Sequence, residues 1–416
     1  MSRTSFHVPL DPQATVAIVG ASLAGLRAAE SLRAEGHSGP IVMVGAEPHV
    51  PYDRPPLSKQ LLAGTWGIER VVLRPPEKLS ALSLDLRLGR RATALDVSAG
   101  ALELDDDTTV RFDGLVIATG STPRPLPDTE ELANVHTLRT LEDCQALSDA
   151  TSTPGTRLVV VGAGFIGAEV AATCSGRGAA VTVIEALTVP LARVLGEEMG
   201  AACAALHRGH GVDLRLGTGV ARLLAEGEGS QRRAVAVELS DATVVPADVV
   251  VVGIGVTPAT GWLDGSGLEV SDGVVADATL HAAPSVVVAG DVARWHDESL
   301  GTDLRIEHWT NAAEQGAHAA RSLLAGRQGA FAYRAVPYFW SDQYDMKIQV
   351  LGHPHPDDEV TVVDGSLDAG RFVALYGHGG RLGAVLGFGR PRQLMGYRSL
   401  LEDGASYGAA LAHQPA

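Results

Sequence analysis

The chain carries the same strand, glycine turn and helix twice, and no other feature limits its fold as tightly. The first copy is Val16-Ala17-Ile18-Val19 followed by Gly20-Ala21-Ser22-Leu23-Ala24-Gly25. The second is Leu158-Val159-Val160-Val161 followed by Gly162-Ala163-Gly164-Phe165-Ile166-Gly167. A short apolar run of this kind reads as a parallel strand buried on both faces, and helical periodicity starts directly after it. The turn between them puts backbone amides at a helix N-terminus, where a phosphate is favoured. Each copy also has an acid at the end of its next strand: Glu47, 22 residues after Gly25, and Glu185, 18 residues after Gly167. A carboxylate there suits a pair of ribose hydroxyls. One copy alone is compatible with an unliganded βαβ unit. Two copies, 142 residues apart from Gly20 to Gly162 and each with its acid in register, imply two dinucleotide sites. The first copy departs at its middle glycine, which is Ser22; a side chain there narrows the gap to a pyrophosphate.

At 416 residues the chain is too long for one core and implies two or three domains. A net charge of −16 disfavours wholesale binding to nucleic acid or an anionic membrane. The lysines are only Lys59, Lys78 and Lys347, so any local basic patch has to be mostly arginine. Cys144, Cys174 and Cys203 form no Cys-x-x-Cys pair, which removes the case for a redox dithiol, a zinc cluster or a disulfide framework. They read as reduced, buried thiols of a cytoplasmic protein. Met1 to Thr15 has no apolar core of a signal peptide, and no 18-residue apolar run occurs, so the expectation is an unanchored chain.

Residues 1–15 read as a polar lead-in. Pro51-Tyr52-Asp53-Arg54-Pro55-Pro56-Leu57-Ser58-Lys59 reads as a stiff cationic loop, with helix excluded until about Leu57. Residues 83–112 alternate like β-strands and end in the buried strand Leu115-Val116-Ile117 before Ala118-Thr119-Gly120. Pro123, Pro125 and Pro127 mark a crossing into another domain. Further strands end in Val249-Val250-Val251-Val252 before Gly253-Ile254-Gly255, and a hairpin is expected at Asp272-Gly273. Val286-Val287-Val288 then leads to Gly290-Asp291, whose carboxylate can hold a hydroxyl. An alanine-rich helix is expected from about Asn311 to Ala325, and a small α+β domain from about residue 331. His353-Pro354-His355-Pro356-Asp357-Asp358-Glu359 reads as a solvated loop, because the prolines splay its side chains, and no metal site is assigned. Trp66, Trp262 and Trp295 read as packing, and His308 as a structural histidine.

Taken together, these residues resemble the FAD-dependent NAD(P)H–ferredoxin reductases that serve cytochromes P450 and Rieske dioxygenases. The resemblance covers nearly the whole chain in order. It rests on the two glycine motifs, Pro55-Pro56-Leu57-Ser58-Lys59, Ala118-Thr119-Gly120, Gly253-Ile254-Gly255, Gly290-Asp291, Arg305-Ile306-Glu307 with Asn311-Ala312, and Phe339-Trp340-Ser341-Asp342-Gln343. The nucleotide motifs are shared by a wider flavoprotein group; the Pro-Pro-Leu-Ser-Lys and Trp-Ser-Asp-Gln elements are narrower.

The resemblance implies an α/β fold of two Rossmann-like dinucleotide-binding domains, an FAD domain with an inserted NAD domain, plus a C-terminal α+β domain. Its expected segments are 1–119 and 246–328 for FAD, 120–245 for NAD and 329–416 for the last domain. It implies FAD contacts for Gly20, Ser22, Ala24, Gly25, Glu47, Lys59, Ala92, Arg139, Asp291 and Trp309, and contact with a cofactor for Arg54, Gly255 and Trp340. Gly162, Gly164, Gly167, Glu169 and Glu185 fall to NADH. The implied reaction is hydride transfer from NADH to flavin, then single-electron transfers to a [2Fe–2S] ferredoxin that feeds a P450 or Rieske oxygenase. Lys59 and Glu169 are the expected catalytic pair, with Glu169 on the first turn of its helix. Glu185 accepts bonds from a 2′-hydroxyl and repels a 2′-phosphate, so NADH is expected over NADPH. Two other readings stay open. One is a related NADH reductase, such as a rubredoxin reductase; the other is an NADH-sensing flavoprotein without turnover.

Overall fold

The computed structural model describes residues 9–298, 300–355 and 357–415. Residues 1–8 of the lead-in lie outside the described residues. The chain divides into two compact units. The first holds the chain up to Asp53, Val71–Thr122 and Thr257–Ala335; the second holds Arg54–Arg70, Pro123–Val256 and Val336 onward.

The first unit is built on a six-stranded sheet in the order His281–Ala283, Val286–Val288, Gly114–Ile117, Val16–Val19, Ile41–Gly45, Leu84–Leu88. Val16 pairs with Ile41 on one side and Gly114 on the other, both in parallel. Every residue of these three strands is buried, which is why they read as unbroken apolar runs. Sequence order reverses at Val16–Val19, so a crevice opens beyond its C-terminal end, where Gly20 sits. Helix Leu23–Ala34 packs against helix Trp309–Ala325 so closely that a Cβ on Gly316 would lie 2.2 Å from the Ala24 carbonyl oxygen. The second helix starts two residues before the expected Asn311. Trp295 is buried in the core and Trp262 packs at its edge. Asp272 and Gly273 both have positive φ, at 47° and 118°, as a tight hairpin turn requires.

The second unit has its own parallel sheet, in the order Asp213–Leu216, Ala180–Glu185, Arg157–Val161, Val249–Val252, Val135–His136. The boundary expected at 246 puts Val249–Val252 with the FAD segment, but Leu158–Val161 pairs with it residue for residue. The last segment forms a five-stranded antiparallel sheet, ordered Tyr338–Gln343, Met346–Gly352, Arg381–Phe388, Arg371–His378, Glu359–Ser366. One face of it buries Ile348, Phe372, Tyr376 and Phe388 against Leu195, Met199 and Cys203 of helix Ala192–Gly209. Pro55 and Pro56 do not delay helical structure. They start a 3₁₀ turn over Pro55–Ser58, because proline's fixed φ suits the first helical positions. Trp66 is half-buried and carries the Arg70 guanidinium 4.4 Å above its ring. Among the described residues, no helix is long and apolar enough to cross a membrane.

Candidate functional site

In the first unit the glycine turn is fixed by sterics. Gly20 has φ +122°, and a Cβ there would fall 2.0 Å from the Ala118 carbonyl oxygen. Ser22, by contrast, has φ −126°, which any residue adopts. As N-cap of helix Leu23–Ala34 it makes no side-chain cap bond, and the helix has no acid in its first turn. Ala24 and Gly25 are buried in that turn. The carboxylate of Glu47 accepts a hydrogen bond from the Tyr52 hydroxyl. Ala92 is the buried first residue of strand Ala92–Asp96. Asp291 lies in a 3₁₀ turn after Val286–Val288 and accepts a 2.9 Å bond from Ser121 Oγ. The amide of Gly290 donates to Gln315 Oε1, and the indole of Trp309 donates to Asp53 Oδ1 at 2.6 Å.

In the second unit Gly162 repeats Gly20, with φ +99° and a would-be Cβ 2.4 Å from the Gly253 carbonyl oxygen. A Cβ on Gly164 would meet only that same oxygen, at 3.9 Å. Gly167 packs its backbone on Gly162 O, 2.1 Å from a would-be Cβ. Glu185 folds back on the turn: its Oε2 accepts from the Ala163 amide at 2.7 Å and its Oε1 from the Leu187 amide at 2.9 Å. Each oxygen keeps one acceptor place for a ribose hydroxyl. Gly255 has φ +104° with open space around it. Trp340 stacks on Tyr338 with ring centroids 5.9 Å apart. Arg54 donates to the Arg139 carbonyl at 2.5 Å. Lys59 and Arg139, expected with FAD, and Arg54, Gly255 and Trp340, expected at a cofactor, belong to this second unit.

Lys59 and Glu169 meet in a buried polar cluster of that unit. The Lys59 ammonium lies 2.5 Å from Glu169 Oε2, with side-chain exposures of 10% and 6%. Ser58 Oγ donates to the same oxygen at 2.5 Å, and Ser341 Oγ donates to Oε1 at 2.7 Å. Gln343 Nε2 donates in turn to Ser341 at 3.2 Å. Lys59 also donates to the Pro55 carbonyl at 3.0 Å. Ser58 and Ser341 were not singled out from sequence, although both lie inside the two narrower motifs. One expectation fails. Glu169 is not on the first turn, because the helix begins at Phe165 and has no first-turn acid. It sits in the second turn, held by three donors rather than by the helix dipole.

These cradles fit dinucleotides. Both helix N-termini lack a first-turn acid that would repel phosphate, Ser22 has a hydroxyl not spent on capping, and the backbone at Gly164 is open. Thiol chemistry is not supported. Cys144, Cys174 and Cys203 are all buried and unpaired, and burial pushes their thiols up to about 11, about 11 and about 12.

The fold and its paired cradles define an oxidoreductase that binds two dinucleotides. Residues 14–316 match the pyridine nucleotide-disulphide oxidoreductase family, and residues 338–416 match the reductase C-terminal domain. Rhodocoxin reductase of Rhodococcus erythropolis is 39% identical over 390 residues, covering 93% of this chain and 89% of its own. The ferredoxin–NAD(+) reductase component of the Burkholderia cepacia anthranilate 1,2-dioxygenase system is 39% identical, covering 93% and 94%. The covalent putidaredoxin reductase–putidaredoxin complex contains a chain superposable with TM-score 0.91, at 34% identity and 97% coverage of both. The chain therefore belongs to the ferredoxin–NAD(P)+ reductases, oxidoreductases that use FAD and NAD(P)H.

Proposed function

We propose that this protein is a cytoplasmic reductase that takes electrons from NADH through FAD and passes them to a [2Fe–2S] ferredoxin serving a P450 or a Rieske oxygenase. FAD, when bound, accepts a hydride and releases electrons singly, which a one-electron cluster requires. The observation that carries the reading is two dinucleotide cradles, each closed by a carboxylate, in a chain whose thiols are all buried.

In this reading Ser22 and the amides of the first turn hold the FAD pyrophosphate, Glu47 holds its ribose, and Asp291 its ribityl chain. The turn at Gly164 and the Glu185 carboxylate hold NADH and disfavour the 2′-phosphate of NADPH. Glu169 has a defined remaining capacity. Lys59 and Ser58 fill Oε2, and Ser341 leaves one acceptor place on Oε1, enough for one N–H of the nicotinamide carboxamide. Lys59 keeps that carboxylate in place and adds positive charge for the reduced flavin.

The test is NADH-driven cytochrome c reduction with and without a [2Fe–2S] ferredoxin. A rate that rises at least tenfold with ferredoxin supports the reading. Rapid NADH oxidation with ferricyanide but none through any [2Fe–2S] ferredoxin overturns the partner, and slow flavin reduction with every acceptor overturns the enzyme.

A further inference from the structure

The loop His353 to Glu359 offers two histidines and three acids, but along the sequence its prolines turn these away from one another. The fold adds a ligand that no spacing argument connects to it. His378 ends strand Arg371–His378, 20 residues beyond Asp358, and its Nδ1 lies 3.0 Å from Asp358 Oδ1. One ligating atom each from His355, Asp358 and His378 falls within 4.8 Å of the others, and the imidazole centroids are 4.5 Å apart.

Three features mark this cluster as built. The Asp358 carboxylate is 1% exposed, a costly position for a charge on a surface loop. Its second oxygen is fixed by the His355 amide at 2.8 Å, the kind of outer bond that orients a metal-binding carboxylate. The two imidazoles are about half exposed, at 47% and 55%, so solvent and a hydrated ion reach them. Asp357 adds negative charge, with a carboxylate oxygen 3.8 Å from His355 Nδ1.

We infer that His355, Asp358 and His378 form a site for a zinc-class divalent cation, with water in the fourth position. Two imidazoles and one carboxylate are borderline donors that suit zinc, nickel or copper better than magnesium or calcium. A tetrahedral ion with bonds of about 2.0–2.2 Å sets its ligand atoms roughly 3.3–3.6 Å apart, so side chains whose ligand atoms already lie within 4.8 Å of one another need to close by no more than about 1.5 Å. The ion would tie the proline loop to the end of the strand, a structural role independent of electron transfer.

The test uses tag-free, FAD-loaded enzyme stripped with a chelator and titrated by calorimetry with zinc, then with cobalt as a visible probe. The expected result is one equivalent bound with micromolar affinity, weakened at least tenfold in both His355→Gln and His378→Gln. Both side chains are exposed, so these variants keep the fold, and ferricyanide turnover checks that they do. A rise in Tm with zinc in the parent, lost in the double variant, is the second readout. Equal binding by parent and double variant, or no stoichiometric binding by the parent, overturns the site.

Discussion

Lys59→Met isolates what the buried ion pair does. The two side chains are 10% and 6% exposed, so water cannot replace the lost ammonium at Glu169 Oε2. Removing one partner of a buried pair costs about 3–5 kcal/mol. Ser58 and Ser341 still donate to the stranded carboxylate, which places Lys59→Met near the low end, about 3 kcal/mol. Glu169→Gln leaves the ammonium with the Pro55 carbonyl and an amide oxygen, a loss of about 2 kcal/mol. The double variant has no uncompensated charge and should lose only about 2 kcal/mol, giving a coupling of about 3 kcal/mol. Urea unfolding of the FAD-loaded protein, read by circular dichroism across the four proteins, measures it. Stopped-flow reduction by NADH supplies the functional arm, in which both single variants should be slowed at least tenfold with FAD content unchanged. A coupling under about 0.5 kcal/mol would reduce the pair to the worth of a surface ion pair, and parent-like hydride rates would falsify its role in the reaction.

Other perturbations test separate parts of the structure. Glu185→Arg should lower kcat/KM for NADH and raise it for NADPH; an unchanged ratio removes the ribose assignment. Burial lowers the pKa of His207 from its ordinary value to about 4, so the unfolded chain takes up this proton first as pH falls. Stability from this group is therefore complete above about pH 6.5 and declines as pH falls toward 4, by about 3 kcal/mol in all. His207→Phe should flatten that slope in urea midpoints measured from pH 7 to 4.5, and an unchanged slope counts against it. The three cysteines should react with a thiol reagent only after denaturation; fast labelling of the native protein would contradict their burial.

How much the sequence discloses depends on whether a feature is local. The strands Val16–Val19, Ile41–Gly45, Gly114–Ile117 and Val249–Val252, and Leu158–Val161 after the exposed Arg157, are buried runs whose apolar character needs no partner to be seen. The glycine turns and their acids are equally local, since strand, turn and helix are contiguous. Sheet membership is not local, and this is why Val249–Val252 was expected in one domain and pairs in another. The same limit hid Ser341, which reaches Glu169 from 172 positions away, and His378, which reaches Asp358 across a strand pair. The position of Glu169 escapes a local count for a different reason: the helix starts at the residue after Gly164, so counting from Gly167 places the acid one turn too early. At Pro55 proline does not act as a breaker, because its fixed φ begins a turn.

The departure at Ser22 follows from separating two demands that a glycine turn combines. Gly162 is required by the chain itself, because φ +99° is unfavourable for any other residue and its Cβ would overlap the Gly253 carbonyl. Gly164 is not. Its φ of −71° and ψ of −179° are open to every residue, and a Cβ there meets nothing closer than 3.9 Å. The first motif already shows the outcome, for Ser22 occupies the matching place at φ −126° with its helix intact. Glycine at that middle position therefore serves the ligand's approach and not the fold. Gly164→Ser should leave the Tm within about 2 °C of the parent while raising the NADH dissociation constant, whereas Gly162→Ala should destabilise the protein by several kcal/mol, as forced left-handed backbone with a buried clash does. Equal loss of stability in the two variants would mean that the middle glycine is structural after all, and that Ser22 is tolerated for a reason particular to the first unit.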